Sequence, residues 1–282
     1  LQSEKDNHAD QAKGDPEDVA STELGGPGAF MSIGVSGKPA GPFGGRTPGG
    51  RIRGAKENGG TPGTLTAVDN ALKWFKKHQS PNGMWDVDGY PANCTQAGKC
   101  EPGTEHTGDD GDVAGTSYAI LCYLGAGFDH RVPSPFKATV KRGLDWLVSI
   151  QKPDGLFPGG RNYEQGVATM ALAEAYAMSN DPALKGPAQK AIDVLLARQA
   201  QDAKSGYGLG WDYVGQNPAR NDGSVSGWCV MAPKSGAAGG LNIGNGMDGA
   251  TRYLERAWKD ANPNFKAQDP YTDVSVFPYA WN

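Results

Sequence analysis

The chain has 282 residues, and its 27 Lys and Arg against 31 Asp and Glu leave a formal net charge of −4. That balance offers no general polyanion-binding surface and argues against nucleic acid as a partner. Hydrophobic residues make up 38% of the chain, enough for a sizeable core. No run approaches the roughly 18–20 consecutive apolar residues that cross a bilayer as a helix. The sequence starts at Leu1 with no basic-then-apolar leader, so a processed product or one part of a larger polypeptide is expected.

Residues 1–23 read as a polar, acidic tail. Residues 24–63 are Gly-rich, with isolated Phe30, Met31, Ile33, Phe43 and Ile52 in no period. They form either a linker or an irregular strap pegged to the folded body, and Arg46, Arg51, Arg53 and Lys56 suit docking on acidic residues. Helical periodicity begins at Thr64, where Leu65, Val68, Leu72 and Phe75 define a helix to His78 that Thr64 or Thr66 can cap. A long loop follows over 80–112, longer than a passive connection needs. Further helices are expected over 113–124, 136–150, 162–178, 187–198 and 247–258. Another, opened by Asp222 or Ser224, carries Val225, Trp228, Cys229 and Met231 until Pro233 kinks or ends it. The helical domain thus covers 64–262, and 263–282 reads as an irregular C-terminal segment.

The helices alternate in character. Those at 113–124, 162–178 and from 222 are rich in Ala, Gly, Ser and Cys, while the others carry Lys, Arg and Asp on one face. Buried helices surrounded by amphipathic ones produce this pattern, and the expected class is all-α. One punctuation recurs at the ends of the charged helices: Gln79, Gly83 and Trp85, then Gln151, Gly155 and Phe157, then a stretched copy with Gln199, Gly210 and Trp211. The glutamine amide is placed to satisfy backbone groups at the helix end, the glycine to turn the chain, and the ring to pack between helix pairs. The insertion before Trp211 makes that ring the one expected to depart from its relatives.

These repeats resemble the Gln-Trp motifs of the squalene/hopene cyclase and protein prenyltransferase superfamily. The chain is most similar to the "prenyltransferase and squalene oxidase repeat" proteins of planctomycetes and related bacteria. The resemblance runs over most of residues 43–260, through Phe43–Arg46 with Gly49–Arg51, Ala71–Phe75 with His78 and Gln79, Gly125–Gly127, Arg142–Leu147, Gly166–Tyr176 and Ser224–Trp228. It implies an α/α toroid, complete or incomplete, in an exported, periplasmic or envelope-associated bacterial protein. The superfamily's catalytic elements do not carry over. Asp109-Asp-Gly-Asp112 lacks the spacing of the cyclase acid motif, and no Asp, Cys and His set matches the prenyltransferase zinc ligands.

The densest ligand chemistry lies in the loop from Cys94 to Asp112. Cys94 and Cys100 admit a small-loop disulfide, zinc ligation or free thiols, with the disulfide expected. Glu101, Glu105, His106, Asp109, Asp110 and Asp112 could add zinc or calcium ligands, although no ion is assigned. The simpler role for the aspartates is to favour a helix N-terminus with negative charge. Cys122 and Cys229, in apolar runs, read as buried thiols. Glu174, mid-helix among alanines, must be paired, protonated or facing a cavity, with Arg161 and Arg198 as candidate partners and Tyr163, Glu164 and Gln165 near the same mouth. No nucleophile elbow, Ser/His/Asp set or nucleotide loop is present. The expectation is therefore a repeat scaffold or binding domain for a protein, small-molecule or glycan ligand. The alternative is an enzyme acting on an isoprenoid or polysaccharide in the central cavity, with Glu174, Glu105, His106, Asp109, Asp110 and Asp112 as its candidate residues.

Overall fold

The computed structural model describes residues 43–95, 100–101, 109–201, 208–217, 219–261 and 277–281. The acidic tail at 1–23 and the strap up to 42 lie outside these residues. Among those described, the chain is an all-α, multi-helix fold with one two-stranded ribbon. The helices are α1 (Pro48–Glu57), α2 (Pro62–His78), α3 (Asp109–Gly125), α4 (Lys137–Ile150), α5 (Asn162–Ser179), α6 (Pro182–Arg198), α7 (Gly223–Ala238) and α8 (Gly246–Ala261). The ribbon pairs β1 (Asn221–Asp222) antiparallel with β2 (Ala280–Trp281), so part of the stretch expected to be irregular closes onto the start of α7.

Local chemistry explains the starts and stops. Helix α2 begins two residues before Thr64, because Thr61 caps Thr64 N–H while the Thr64 hydroxyl returns to Thr61 N–H, with Pro62 at the first position. Helix α6 begins at Pro182 under the Asp181 cap, which leaves Pro187 inside the helix and not at its start. Asp222 caps α7 by accepting from Ser224 and Val225 N–H, and the helix runs through Pro233 to Ala238. The stretch 48–57, expected to be irregular, is helix α1: Thr47 Oγ1 accepts from Gly50 N–H and Pro48 supplies the preset first turn.

Helix α5 lies between α3 and α7 and also packs on α6, while α4 covers α3 and α8 covers α7. All its residues from Gln165 to Ser179 are buried. Ala168, Ala171, Ala173, Ala175 and Ala177 make this enclosure feasible, since short side chains let neighbouring helices approach on every side. The row α3–α5–α7 is the low-charge set of helices, and the amphipathic set lies outside it.

The recurring punctuation has one geometry three times. Gln79, Gln151 and Gln199 each end a helix, and each side-chain amide donates two hydrogen bonds. One goes across its own loop, to Gly83 O (2.8 Å), Gly155 O (3.2 Å) and Leu209 O (2.5 Å) respectively. The other reaches the next outer helix, at Thr139 O (3.0 Å), Pro187 O (3.0 Å) and Gly246 O (2.9 Å). Main-chain bonds repeat as well: Ser80 N–H to Met84 O, Lys152 N–H to Leu156 O, and Ala200 N–H to Gly210 O. Two residues past the amide's acceptor, the aromatic N–H donates to a side chain of the next inner helix. The acceptor is Thr116 for Trp85, Gln165 for Phe157 and Ser226 for Trp211.

Gly83 and Gly155 are needed in the first two copies. Both have positive φ (104° and 94°), and a Cβ would lie 2.3 Å from Arg142 O and 2.4 Å from Lys190 O. In the third copy Leu209, not Gly210, occupies the corresponding place. Trp211 does not depart from its relatives: it is buried, and its Nε1–H donates to Leu195 O at 2.8 Å just as Trp85 Nε1–H donates to Phe75 O at 2.8 Å. Phe75 and Leu195 each stand four residues before their glutamine, so the insertion is absorbed between Ala200 and Leu209 and leaves the ring in place.

Gln199→Ala strips a donor from two carbonyls and is expected to lower unfolding free energy by about 2–4 kcal/mol in chemical denaturation. Lys141→Ala, in an exposed pair with Asp145, is expected to shift it by less than about 0.5 kcal/mol. Equal effects from the two substitutions would remove the glutamine clamp as an organising contact.

Candidate metal centre

The end of α2 and the loop after its first punctuation bring together His78, Cys94 and Cys100. His78 occupies the last helical position and is 4% exposed. Its Nδ1 lies 2.8 Å from Trp74 O, one turn back. A carbonyl only accepts, so Nδ1 carries a hydrogen, and in the neutral ring Nε2 presents its lone pair to the loop. That Nε2 is 3.5 Å from Cys100 Sγ, and Cys100 Sγ is 3.8 Å from Cys94 Sγ. The ring is held from the other side by Trp74, stacked on it at 3.9 Å, and Tyr90 packs edge-on to both.

The loop is tied down at several points. Asn93 Nδ2 donates to His78 O and Ser80 Oγ, Cys94 N–H donates to Pro91 O, and the Tyr90 hydroxyl donates to Glu101 O. The expected Cys94–Cys100 disulfide is not present. A sulfur separation of 3.8 Å is far beyond the roughly 2.05 Å of a covalent bond, and neither cysteine is in a disulfide. What the loop brings together is instead a thiol, thiol and imidazole set that suits a metal such as zinc.

A second group lies nearby. Asp86, Asp88 and Asp112 place carboxylate oxygens within 4.8 Å of one another. Asp86 Oδ1 accepts from Asp88 and Gly89 N–H, and Asp112 Oδ1 accepts from Val87 N–H. A hydrogen bond that its protonated form donates to the Asp86 carboxylate is the main cause holding the Asp88 carboxyl above its usual range. Asp109, Asp110 and Asp112 fall in the first turn of α3, which begins four residues earlier than the apolar period suggests. Glu105 and His106 lie outside the described residues, so they stay as sequence candidates alone.

Glu174 is not near this centre. It is 3% exposed in α5, where Oε2 accepts from Arg46 Nη1 at 2.7 Å and Oε1 from the Ser235 hydroxyl of α7 at 3.2 Å. Its partner comes from the Gly-rich stretch, not from Arg161 or Arg198. Arg198 instead donates to Gly160 O and Asn162 Oδ1. Arg51 pairs with Asp69 of α2 at 3.2 Å, so Arg46 and Arg51 of that stretch both dock on carboxylates of the helical body. Gln165 belongs to the frame, holding Phe157 N–H and donating to Gly155 O. Tyr163 joins Tyr118 and Trp228 at the meeting of α3, α5 and α7: Tyr118 and Trp228 both donate to its hydroxyl oxygen, at 3.0 and 3.1 Å. Burial, then the neighbouring Tyr163, pushes the Tyr118 phenol well up.

Cys229 is fully buried, with Sγ directed at Asn162 O, and desolvation raises its thiol strongly. Cys122, expected to be buried, is exposed at an apolar groove of about 520 Å³ that Leu65, Val68, Phe75 and Ala55 also line.

Sequence reading located the two cysteines but not His78 as their partner, since that residue counts as a helix-end base until the loop folds back on it. Asp86 and Asp88 carry one signal in the sequence, the Asp-Val-Asp-Gly pattern directly after Trp85, and the denser acidic run at 109–112 outweighs it. No family model and no curated protein matches the chain.

Two outcomes are expected. Arg46→Ala is expected to cost about 2–3 kcal/mol in denaturant unfolding, because Glu174 keeps only Ser235 while Arg46 itself is partly exposed. In alkylation followed by mass spectrometry without reductant, Cys94 and Cys100 are expected as unlinked cysteines, and Cys229 is expected to resist labelling until the protein is denatured.

Proposed function

We propose that the chain is a helical-repeat scaffold that binds other molecules on its outer surfaces and performs no chemistry at its centre. The observation that carries this reading is the closed Arg46–Glu174–Ser235 contact on α5, which ties up the mid-helix carboxylate among alanines. A catalytic acid needs a free face toward substrate, and Glu174 is 3% exposed with both oxygens engaged.

We extend the proposal to the finer architecture. The row α3–α5–α7 with α2, α4, α6 and α8 outside it is read as an α/α toroid segment, and the thrice-repeated glutamine clamp is the support for that reading. The likeness to the prenyltransferase and squalene oxidase repeat proteins, and with it an exported or envelope-associated setting, belongs to the same proposal and rests on the motifs of the sequence. Among the described residues no helix is long and apolar enough to cross a membrane.

The test is a turnover assay with mass-spectrometric detection, using isoprenoid diphosphates, squalene-type polyenes and oligosaccharides as substrates for the purified full chain. No product is expected from any of them. Product formation that Glu174→Gln abolishes, with helical content unchanged by circular dichroism, would overturn the scaffold reading in favour of an enzyme.

A further inference from the structure

The geometry points to a zinc site made by Cys94, Cys100 and His78, in which the ion clamps the loop after α2 to the end of that helix. The distances carry the argument. In a tetrahedral zinc site with Zn–S of about 2.3 Å and Zn–N of about 2.0–2.1 Å, two sulfurs stand about 3.8 Å apart and a sulfur and a nitrogen about 3.5 Å apart. The sulfurs of Cys94 and Cys100 are 3.8 Å apart, and Cys100 Sγ is 3.5 Å from His78 Nε2. Both values match tetrahedron edges.

A second, independent observation is the orientation of the imidazole. Nδ1 is committed to Trp74 O at 2.8 Å, so in the neutral ring it is the Nε2 lone pair that faces the sulfurs. The backbone carbonyl thus fills the outer-shell role that metal-bound histidines require. Stacking by Trp74 on the same ring restricts its rotation.

The chemistry selects the ion class. Calcium and magnesium require oxygen donors, whereas two thiolates and an imidazole suit zinc. Binding Zn²⁺ releases the two thiol protons to solvent and forms two Zn–S bonds and one Zn–N bond, with no change of oxidation state. Two thiolates neutralise the ion, so the largely buried corner gains no net charge.

Among the described residues no fourth His, Cys, Asp or Glu joins the group. The fourth position is assigned to water, for which there is room: a cavity of about 240 Å³ borders His78 and Cys94 and is edged by Asn70, Lys73 and Lys77. The ligands come from the end of an outer helix and its loop, and none from the inner row α3–α5–α7. The site therefore neither needs nor implies catalysis at the centre, and it can fail or stand apart from the scaffold reading.

The test is elemental analysis of the full chain purified without chelator, paired with cobalt substitution. Near-stoichiometric zinc is expected, retained in Cys122→Ser and lost in Cys94→Ser/Cys100→Ser. His78→Ala is expected to weaken zinc by more than the roughly 10–100-fold that loss of an outer-shell partner costs. Because the double variant could misfold, the wild-type protein is also stripped and titrated with cobalt. A thiolate-to-cobalt charge-transfer band with the intense visible bands of tetrahedral cobalt is expected, together with a melting temperature that falls on stripping and recovers on adding zinc. Wild-type protein that purifies without zinc and gives cobalt spectra lacking the charge-transfer band would overturn the site. So would zinc retained undiminished in a folded double variant.

Discussion

The side-chain amide at the end of three helices is the contact on which the rest of the structure depends. A helix end leaves unsatisfied carbonyls, and a loop leaving it exposes more. Gln79, Gln151 and Gln199 each answer the loop's need by bonding one of its carbonyls, and tie the loop to the N-terminal half of the following outer helix. One neutral group thereby sets the distance between successive outer helices and aims the chain at the next inner one. The aromatic that follows is then fixed by its own backbone N–H, held by Thr116, Gln165 or Ser226.

With the outer helices spaced this way, the inner row must be thin, and alanine makes it so. Helix α5 has neighbours on every side and has room for few large groups. Its mid-helix carboxylate, Glu174, is compensated from outside the repeats, by Arg46 just before α1. The Gly-rich stretch therefore supplies the counter-charge to the middle of the domain, and Phe43 beside it is buried in the main core. Docking of that stretch and enclosure of α5 are one event energetically, since neither ion is well placed without the other.

The first repeat differs from the others in the length of the loop that follows it. Between Trp85 and α3 the chain makes an excursion that returns to the end of α2, where Cys94 and Cys100 meet His78. An excursion of that length has little apolar material with which to hold itself. The polar anchors are Tyr90, Asn93 and Asp86, and a thiol and imidazole set completes them. The repeat frame and the ligand set are thus joined through α2, which carries both the glutamine clamp and the histidine.

The sequence by itself determined the all-α class, most helix positions and the place of the three punctuations, because those depend on periodicity and turn chemistry within short windows. It also marked Glu174 as a residue that had to be compensated, since desolvation of a carboxylate among alanines is costly wherever the partner lies. Helix α1 was hidden because six of its first seven residues are not apolar, and its start depends on Thr47 and Pro48, not on a hydrophobic stripe. Tertiary structure alone decided the partner of Glu174, the retention of Trp211 in its slot despite the insertion, and the state of Cys94 and Cys100. Each of these is a meeting of residues far apart in the chain, set by how helices pack, and spacing along the sequence carries no record of it. A six-residue interval between two cysteines admits a bridge, metal ligation or free thiols; a sulfur gap of 3.8 Å excludes the bridge, and His78 at 3.5 Å makes the set consistent with a metal.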